Sequence, residues 1–385
     1  MVANRPPTTL RVPADHPTIQ AAVDATVAGD LVLVAPGTYR ESVVIERPGI
    51  VVRGTDRAGV IIDGEDKREN GIKVLADGVA IENLTVSNHA ANGVLVTGDG
   101  YDGGTQLKGF RLSYITAIDN DLYGLYSFAA QDGLFDNVYA RGSGDSGFYV
   151  GRCEPCNTLV IDSLAEHNAV GFEGTNASVG VVVARSTFRA NRVGITVNSQ
   201  KLEKKAPQRE AVVVGNVVDG NDAQLSPVQA SGAFGLGIAI GGGRNDRIER
   251  NRVRRSVSVG IAITDLDGFL PSGVQVEGNA LESNGTDIGA YRTALDLPPG
   301  AVCLGANEAN SFLPPDLPVS HSCGPTVGPA ITAVQPSKPG PPPGVRGQRL
   351  PAPPSLPNMV DALTAPAAPA TSAPDLSTAR FSLPS

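Results

Sequence analysis

A glycine followed by an apolar-x-apolar tripeptide recurs along the middle of the chain, and this repeat limits the possible folds more than any other feature. The repeats begin at Gly93, Gly124, Gly147, Gly171, Gly194, Gly237 and Gly260. Four of the six intervals are 23 or 24 residues, and the two longer ones contain insertions at 97–109 and 201–231. A repeat of this length is a unit that cannot bury its apolar face alone and must stack on its neighbours.

Each unit contains several short strands and no helix-length periodicity, as expected for one coil of a parallel β-helix. The residue after each glycine is apolar, so this column of side chains should point inward. Because strand side chains alternate, the next column should point outward. That outward column is Leu95, Tyr126, Tyr149, Glu173, Thr196, Ala239 and Ala262. The repeat therefore predicts an all-β solenoid of about ten coils.

The start of the chain predicts a short helix that caps the first coil. Thr18 is a candidate N-cap, and Ile19, Ala22 and Val23 give the helix one apolar face. Residues 31–34 read as a buried strand directly after it. Such a helix would cover a strand edge that could otherwise pair with other chains. Residues 1–11, ahead of the cap, are expected to be flexible.

Two stretches resemble a known superfamily. Residues 12–41 contain Pro-Thr-Ile-Gln-Ala-Ala-Val and then Gly-Asp-Leu-Val-Leu-Val-Ala-Pro-Gly-Thr-Tyr-Arg-Glu. They resemble the start of right-handed parallel β-helix proteins of the pectin-lyase-like superfamily. Residues 147–198, with Gly-Phe-Tyr-Val-Gly-Arg-Cys-Glu-Pro-Cys and Gly-Phe-Glu-Gly-Thr-Asn-Ala, resemble an extracytoplasmic actinobacterial branch of it.

The resemblance implies an all-β fold, a single-stranded right-handed parallel β-helix over residues 12–324 with an N-terminal capping helix. The superfamily includes polysaccharide lyases, hydrolases, esterases, epimerases and NosD-like periplasmic proteins. Its fold therefore leaves the activity open.

The C-terminal segment, 325–385, differs sharply in composition. It holds 15 of the 30 prolines among Ala, Ser, Gly and Thr. Such a segment buries too little apolar surface to offset its ordering entropy, so we predict a disordered tail.

The four cysteines form two local pairs, Cys153/Cys156 and Cys303/Cys323, which favours two disulfides and an oxidising compartment. The second pair would tie down the last coil. For the first pair, a redox dithiol and half of a zinc site with His167 are alternatives to a structural turn disulfide. We favour the disulfide, because the pair follows a strand rather than opening a helix.

The outward column suits a sugar chain, because aromatic rings pack on the CH faces of sugars while amides and charges meet the hydroxyl groups. The candidate binding residues are Tyr126, Tyr149, Arg152, Asn176 and Asn198. An aromatic ladder that only stiffens the sheet is the alternative.

The candidate catalytic residues are Asp145, His167 and Glu173. Two carboxylates on neighbouring coils could serve glycoside hydrolysis, whereas a lyase or epimerase would need a base and a cation. Many such acids are turn formers in any β-helix. Segments 63–66 and 99–104 could hold calcium, although solvated loops are the simpler interpretation. No metal ligands and no other cofactor are assigned.

The formal charge of −8 argues against nucleic acid or an anionic membrane as partner. No apolar run is long enough to span a bilayer. Residues 1–10 lack the apolar core of a signal peptide, so a leader would have been removed or trimmed.

We therefore predict a secreted or cell-envelope protein, monomeric, that binds a polysaccharide or surface glycan. An enzyme acting on an acidic glycan (a lyase, hydrolase or epimerase) and a non-catalytic structural or partner-binding solenoid are the alternatives.

Overall fold

The computed structural model describes residues 5–98, 104–227, 232–291, 300–323, 350 and 353–385. It contains short strands with a helix near each end of the solenoid. In chain order the elements are β1 (Thr9–Val12), α1 (Ile19–Asp24), β2 (Leu31–Val34), β3 (Gly37–Tyr39), β4 (Val43–Ile45), β5 (Val51–Gly54), β6 (Val60–Asp63), β7 (Asn70–Val74), β8 (Val79–Ser87), β9 (Asn92–Thr97), β10 (Leu107–Ile118), β11 (Leu125–Phe128), β12 (Ala130–Asp136), β13 (Tyr139–Arg141), β14 (Ser146–Cys153), β15 (Thr158–Ile161), β16 (Leu164–Glu166), β17 (Val170–Ala177), β18 (Val181–Ala184), β19 (Thr187–Arg189), β20 (Val193–Asn198), β21 (Ala211–Val214), β22 (Val217–Asp219), β23 (Leu236–Gly241), β24 (Arg247–Glu249), β25 (Arg252–Arg254), β26 (Val259–Thr264), β27 (Val274–Glu277), β28 (Ala280–Glu282), β29 (Thr286–Tyr291), β30 (Val302–Leu304), β31 (Phe312–Leu313) and α2 (Leu317–Ser320).

These strands form long parallel sheets whose neighbours come from successive coils. One sheet has eleven strands, running from β4 through β7, β9, β11, β14, β17, β20, β23, β26 and β29 to β31. The other has twenty, because the long strands β8 and β10 join two faces of the solenoid. The all-β solenoid predicted from the repeat is therefore confirmed. Among the described residues, neither helix is long and apolar enough to cross a bilayer.

The predicted inward column forms the core behind the eleven-stranded sheet. Its members are fully buried: Val94, Leu125, Phe148, Phe172, Ile195, Ile238 and Ile261. The outward column is in register as well, since Tyr126 pairs with Tyr149, and Tyr149 pairs with Glu173. Residues more than 20 positions apart thus become direct neighbours on one surface.

Buried asparagines connect the coils at two corners. At one corner, the Asn168 backbone N–H donates to Asn191 Oδ1 at 2.9 Å, and the Asn191 N–H donates to Asn221 Oδ1 at 3.1 Å. At the other, Asn216, Asn251, Asn279 and Asn307 repeat the same bond. These ladders give backbone N–H groups at the corners partners that the strands cannot supply.

The predicted N-terminal cap is present. Thr18 accepts a bond from the Ala21 N–H at 3.1 Å, and Ile19, Ala22 and Val23 are buried. The prediction of a flexible segment over 1–11 needs correction, because Thr9–Val12 forms β1 and pairs with β2. The edge of β2 is thereby covered by the chain that precedes the helix.

Both predicted disulfides are formed, Cys153–Cys156 and Cys303–Cys323. The first lies at the end of β14, where both cysteines are fully buried. The second links β30 to the residues that follow α2. For Cys153 and Cys156 the structure therefore shows a disulfide, and not a redox dithiol or half of a zinc site.

The C-terminal segment departs from the prediction of disorder wherever the structure describes it; 324–349 and 351–352 lie outside the described residues. Residues 353–385 lie along the outer surface of the twenty-stranded sheet. Arg53 donates to Ala365 O at 2.6 Å, and Arg250 donates to Phe381 O at 2.9 Å. Phe381 is buried among apolar side chains of β15, β18 and β21.

This correction has a physical reason. The amino-acid composition of the segment indicates only the apolar surface that the segment can bury by itself. Here the sheet supplies an apolar patch for Phe381 and guanidinium donors for backbone carbonyls. Proline also suits such a strap, since it has no N–H that would need a partner.

We expect Phe381→Ala to lower the free energy of unfolding by about 2 kcal/mol, because burying a large apolar side chain contributes about 1.5–3 kcal/mol. Leu363→Ala is the matched control, since Leu363 lies in the same segment but is 67% exposed. Deleting 353–385 should lower the thermal midpoint further. Equal midpoints for the full-length and shortened chains, measured by circular dichroism, would contradict the strap.

Candidate functional site

A cavity of about 510 Å³ opens on the outer surface of the eleven-stranded sheet. The coils β14, β17 and β20 form its floor, and part of the 201–231 insertion covers one side. Its described lining residues are Tyr123, Asp145, Tyr149, Val170, Glu173, Val193, Thr196, Asn198, Gln200, Leu202, Glu203, Ala233, Leu236, Ala239, Gly241, Thr264, Leu266 and Asp267. Four of them are carboxylic acids, and none is Lys, Arg or His.

Asp145 and Glu173 meet at one hydroxyl group in the wall of this cavity. Ser146 Oγ lies 3.2 Å from Asp145 Oδ1 and 2.6 Å from Glu173 Oε2. Glu173 also accepts a bond from Thr175 Oγ1 at 3.0 Å. Asp145 precedes β14 and Glu173 lies within β17, so coil stacking brings the two carboxyl groups together across 28 positions of sequence.

The hydroxyl carries one proton and can donate it only once. Its shorter contact is to Glu173 Oε2, so Glu173 receives the stronger of the two hydrogen bonds. Burial, followed by the neighbouring charge of Glu173, raises the pKa of Asp145 to about 7. Burial also raises the pKa of Glu173, while the Ser146 and Thr175 hydroxyls act in the opposite direction. Both carboxyl groups therefore have raised pKa values, and the pair can hold one proton near neutral pH.

A third acid, Glu203, comes from the insertion. The Tyr149 hydroxyl donates to Glu203 Oε1 at 2.8 Å, and burial raises the pKa of Glu203 to about 7. Glu203 Oε2 and the Thr196 hydroxyl, both buried, have no hydrogen-bond partner among the described residues. Sequence reasoning missed Glu203. The only signal for it is that the insertion follows β20, directly beside the coil of Glu173.

The insertion also changes the role of two predicted binding residues. Tyr149 is only 2% exposed, so it is not a free platform for sugar rings. Asn176 is fully buried, and its amide donates to Gln200 O and Glu203 O at 2.8 and 2.9 Å. Asn176 thus holds the insertion in place. The reason is that residues 200–203, at the start of the insertion, fold back over the column.

The other predicted binding residues have different surroundings. The half-exposed ring of Tyr126 packs on Tyr123, with ring centroids 4.4 Å apart, and edge-on against Tyr149 at 4.8 Å. The Arg152 guanidinium lies over the Phe128 ring at 5.3 Å and is almost fully buried. Asn198, at the end of β20, lines the cavity.

His167 lies apart from the Asp145–Glu173 pair with which it was grouped. It occupies the corner after β16, with a positive φ of 59°, one residue before the buried Asn168. Burial lowers its pKa, and the charges that act on it are those of Glu166, Arg141 and Arg189. Its place in the corner, rather than on the face of the sheet, separates it from the cavity.

Two carboxylates of the candidate calcium segments have partners within the protein. Asp63 accepts a bond from the Asn88 amide at 3.0 Å, and Glu65 pairs with Arg68 at 2.5 Å. Most of 99–104 lies outside the described residues. No cluster of three or more His, Cys, Asp or Glu suited to a metal ion occurs among the described residues.

Comparison with known proteins places this geometry in a known fold. Residues 49–233 match the family described as right handed beta helix region. No curated protein sequence matches the chain.

Solved structures align over most of the chain at low sequence identity. The A-module of the Azotobacter vinelandii mannuronan C-5 epimerase AlgE4 aligns with a TM-score of 0.54 and 15% identity, over 82% of this chain and 95% of the module. The catalytic domain of a GH87 α-1,3-glucanase, in complex with tetrasaccharides, aligns with a TM-score of 0.52 and 12% identity, over 87% of this chain and 69% of that domain. The chain therefore has the right-handed parallel β-helix fold.

Proposed function

We propose that this protein is an extracytoplasmic glycoside hydrolase that cleaves a neutral polysaccharide in the cavity on the eleven-stranded sheet. The observation that carries the proposal is the hydrogen-bonded chain Asp145–Ser146–Glu173 in the cavity wall. It supplies one protonated and one ionised carboxyl group side by side, as glycosidic bond cleavage requires. The two disulfides support an oxidising, extracytoplasmic location.

The separation of the two carboxyl groups indicates the course of the reaction. Their oxygens share one hydroxyl group, so they are at most about 6 Å apart, which fits the ~5–5.5 Å of retaining enzymes better than the 6.5–9.5 Å of inverting ones. Asp145 would give its proton to the glycosidic oxygen as the leaving sugar departs. Glu173 would attack the anomeric carbon and form a glycosyl-enzyme ester. Asp145, now ionised, would take a proton from a water molecule that hydrolyses this ester, restoring both groups.

The charge of the cavity supports a neutral rather than an acidic glycan. A lyase or epimerase must neutralise the carboxylate of a uronate with a cation. The described lining residues include Asp145, Glu173, Glu203 and Asp267 and no basic side chain. A uronate at the reacting position would therefore face like charges.

The comparisons support a glycan as the ligand at the level of fold. The two aligned structures named above are an epimerase module and a glucanase domain, and the glucanase holds tetrasaccharides. Non-catalytic glycan binding is the second candidate function. It is favoured by the half-exposed rings of Tyr123 and Tyr126 at one end of the cavity.

We expect Glu173→Gln to reduce the hydrolysis of a susceptible neutral polysaccharide at least 10³-fold, because the nucleophile is lost. Binding of the same glycan should change little, because the side chain keeps its size. New reducing ends across a polysaccharide panel and isothermal titration calorimetry measure the two effects. Asp121→Asn, an exposed acid of the coil preceding Asp145, is the control and should behave as wild type.

If no polysaccharide on the panel yields reducing ends with the wild-type protein, but one binds, the hydrolase proposal is wrong and the binding function remains. Equal hydrolysis by wild type and Glu173→Gln would remove Glu173 from the mechanism.

The pH profile of hydrolysis should be bell-shaped, with its optimum on the acid side of neutrality. The pKa of Asp145 is raised to about 7, so the proton donor is lost as the pH rises through 7. At low pH the rate falls because Glu173 becomes protonated. Measured kcat/KM that stays constant from pH 6 to 9 would contradict Asp145 as the proton donor.

A further inference from the structure

A buried acid outside the cavity lies beside an amide oxygen, and neither of the two facing oxygens has a hydrogen-bond donor among the described residues. Asp246 and Gln208 are 1% and 0% exposed. Gln208 Nε2 donates to Asp246 Oδ1 at 2.8 Å, and the Ala211 backbone N–H donates to the same oxygen at 2.8 Å. Asp246 Oδ2 and Gln208 Oε1 have no partner among the described residues.

The two unpartnered oxygens converge on one spot. A side-chain carbon built on Gly243 would collide with both of them, which places both beside the Gly243 backbone. Two buried acceptors facing each other are unfavourable, because each has lost water without gaining a donor. A proton on Asp246 Oδ2 removes the conflict: it donates to Gln208 Oε1, while Gln208 Nε2 donates to Oδ1. The acid and the amide then form a closed pair with two hydrogen bonds.

Gln208 lies at the base of the insertion that carries Glu203. Its backbone N–H donates to Ser199 Oγ at 2.9 Å, and Ser199 Oγ donates to Gly242 O at 2.8 Å. Residues 199–208 therefore leave and rejoin the solenoid at one anchored point. Asn176 holds the same segment from the other side, through Gln200 and Glu203.

We propose that Asp246 and Gln208 form a proton-dependent latch that holds the 199–208 segment, and with it Glu203, against the cavity. Asp246 is a positioning residue, since it acts through Gln208 and does not line the cavity. The inference rests on the proposed function only for the role of Glu203; the latch itself is measurable without substrate.

The cations near Asp246 are paired with other acids, so a proton on Asp246 is what neutralises its carboxylate. Burial raises the pKa of Asp246 to about 7, the Gln208 and Ala211 hydrogen bonds lower it, and the charge of Glu210 raises it. Among the neighbouring cations, Arg209 pairs with Glu154 and Glu210, and Arg247 pairs with Glu249.

A further cation near Asp246, Arg244, has an exposed side chain. Its backbone forms an isolated β-bridge with Arg209 on the adjacent coil. The pKa of Asp246 in the closed state lies above its ordinary value, so the latch is strongest at low pH. It weakens as the pH rises toward 7 and stays weak above it.

Hydrogen exchange with mass spectrometry on peptides of the 199–210 segment tests the latch in the full-length protein. If Asp246 has a pKa of about 7 when closed and an ordinary ~3.9 when open, the opening equilibrium rises about 30-fold between pH 5.5 and 8.5. After correction for intrinsic exchange rates, wild type should show this loss of protection.

Asp246→Asn supplies an amide donor in place of the acid proton, so the pH dependence that Asp246 contributes should be lost. Glu203 lies on the same segment and also has a raised pKa, so it contributes a pH dependence of its own, and the decisive comparison is made with Glu203→Gln present in both proteins. Glu203→Gln alone should keep the dependence of about 30-fold that Asp246 contributes, and Glu203→Gln combined with Asp246→Asn should lose it.

Wild-type protection that is constant from pH 5.5 to 8.5 would overturn the latch, whatever the variants do. An Asp246→Asn protein that keeps the full pH dependence would also overturn it. Protection restored at pH 8.5 by calcium chloride would replace the proton with a bound cation and equally overturn it. None of these measurements involves hydrolysis, so the latch and the proposed activity fail or stand separately.

Discussion

The structure depends on one constraint, the registered stacking of coils about 23 residues long. Each coil places an apolar side chain inward, and at the corners asparagine or serine side chains accept hydrogen bonds from the backbone of the neighbouring coil. Leu125, Phe148 and Phe172 are examples of the first, and Asn168 and Asn191 are examples of the second. Once the register of the strands is fixed, the neighbours of each outward residue are fixed as well. Tyr126, Tyr149 and Glu173 are adjacent because the core beneath them is.

The candidate site follows from this stacking together with one departure from it. Stacking puts Asp145 and Glu173 on either side of Ser146. The insertion after β20 then covers the column, adds Glu203 and turns an open ladder into a cavity. Burial raises the pKa values of these acids, which is the condition for one carboxyl group to stay protonated near neutral pH. The stacked coils form the floor of the cavity, and the insertion after β20 encloses it.

The features that could be predicted from the sequence are those set by the repeat or by a local sequence pattern. The inward and outward columns, the Thr18 cap, the cysteine pairs and the proximity of Asp145 to Glu173 all follow from local patterns or from the repeat length. The position of Glu203 could not be predicted, because a long insertion has no periodicity to fix its path. The burial of Asn176 beneath that insertion was missed for the same reason. The C-terminal strap was missed because composition describes what a segment can bury alone, and Phe381 is buried by the sheet.

The anomeric configuration of the first product tests most directly whether Asp145 and Glu173 act as a closely spaced acid and nucleophile. Proton NMR during the first minutes of cleavage distinguishes the two anomers before they interconvert. We expect a product with the same anomeric configuration as the bond that was cut, because two displacements occur. An initial product of inverted configuration, or an unsaturated uronate instead of a new reducing end, would contradict it.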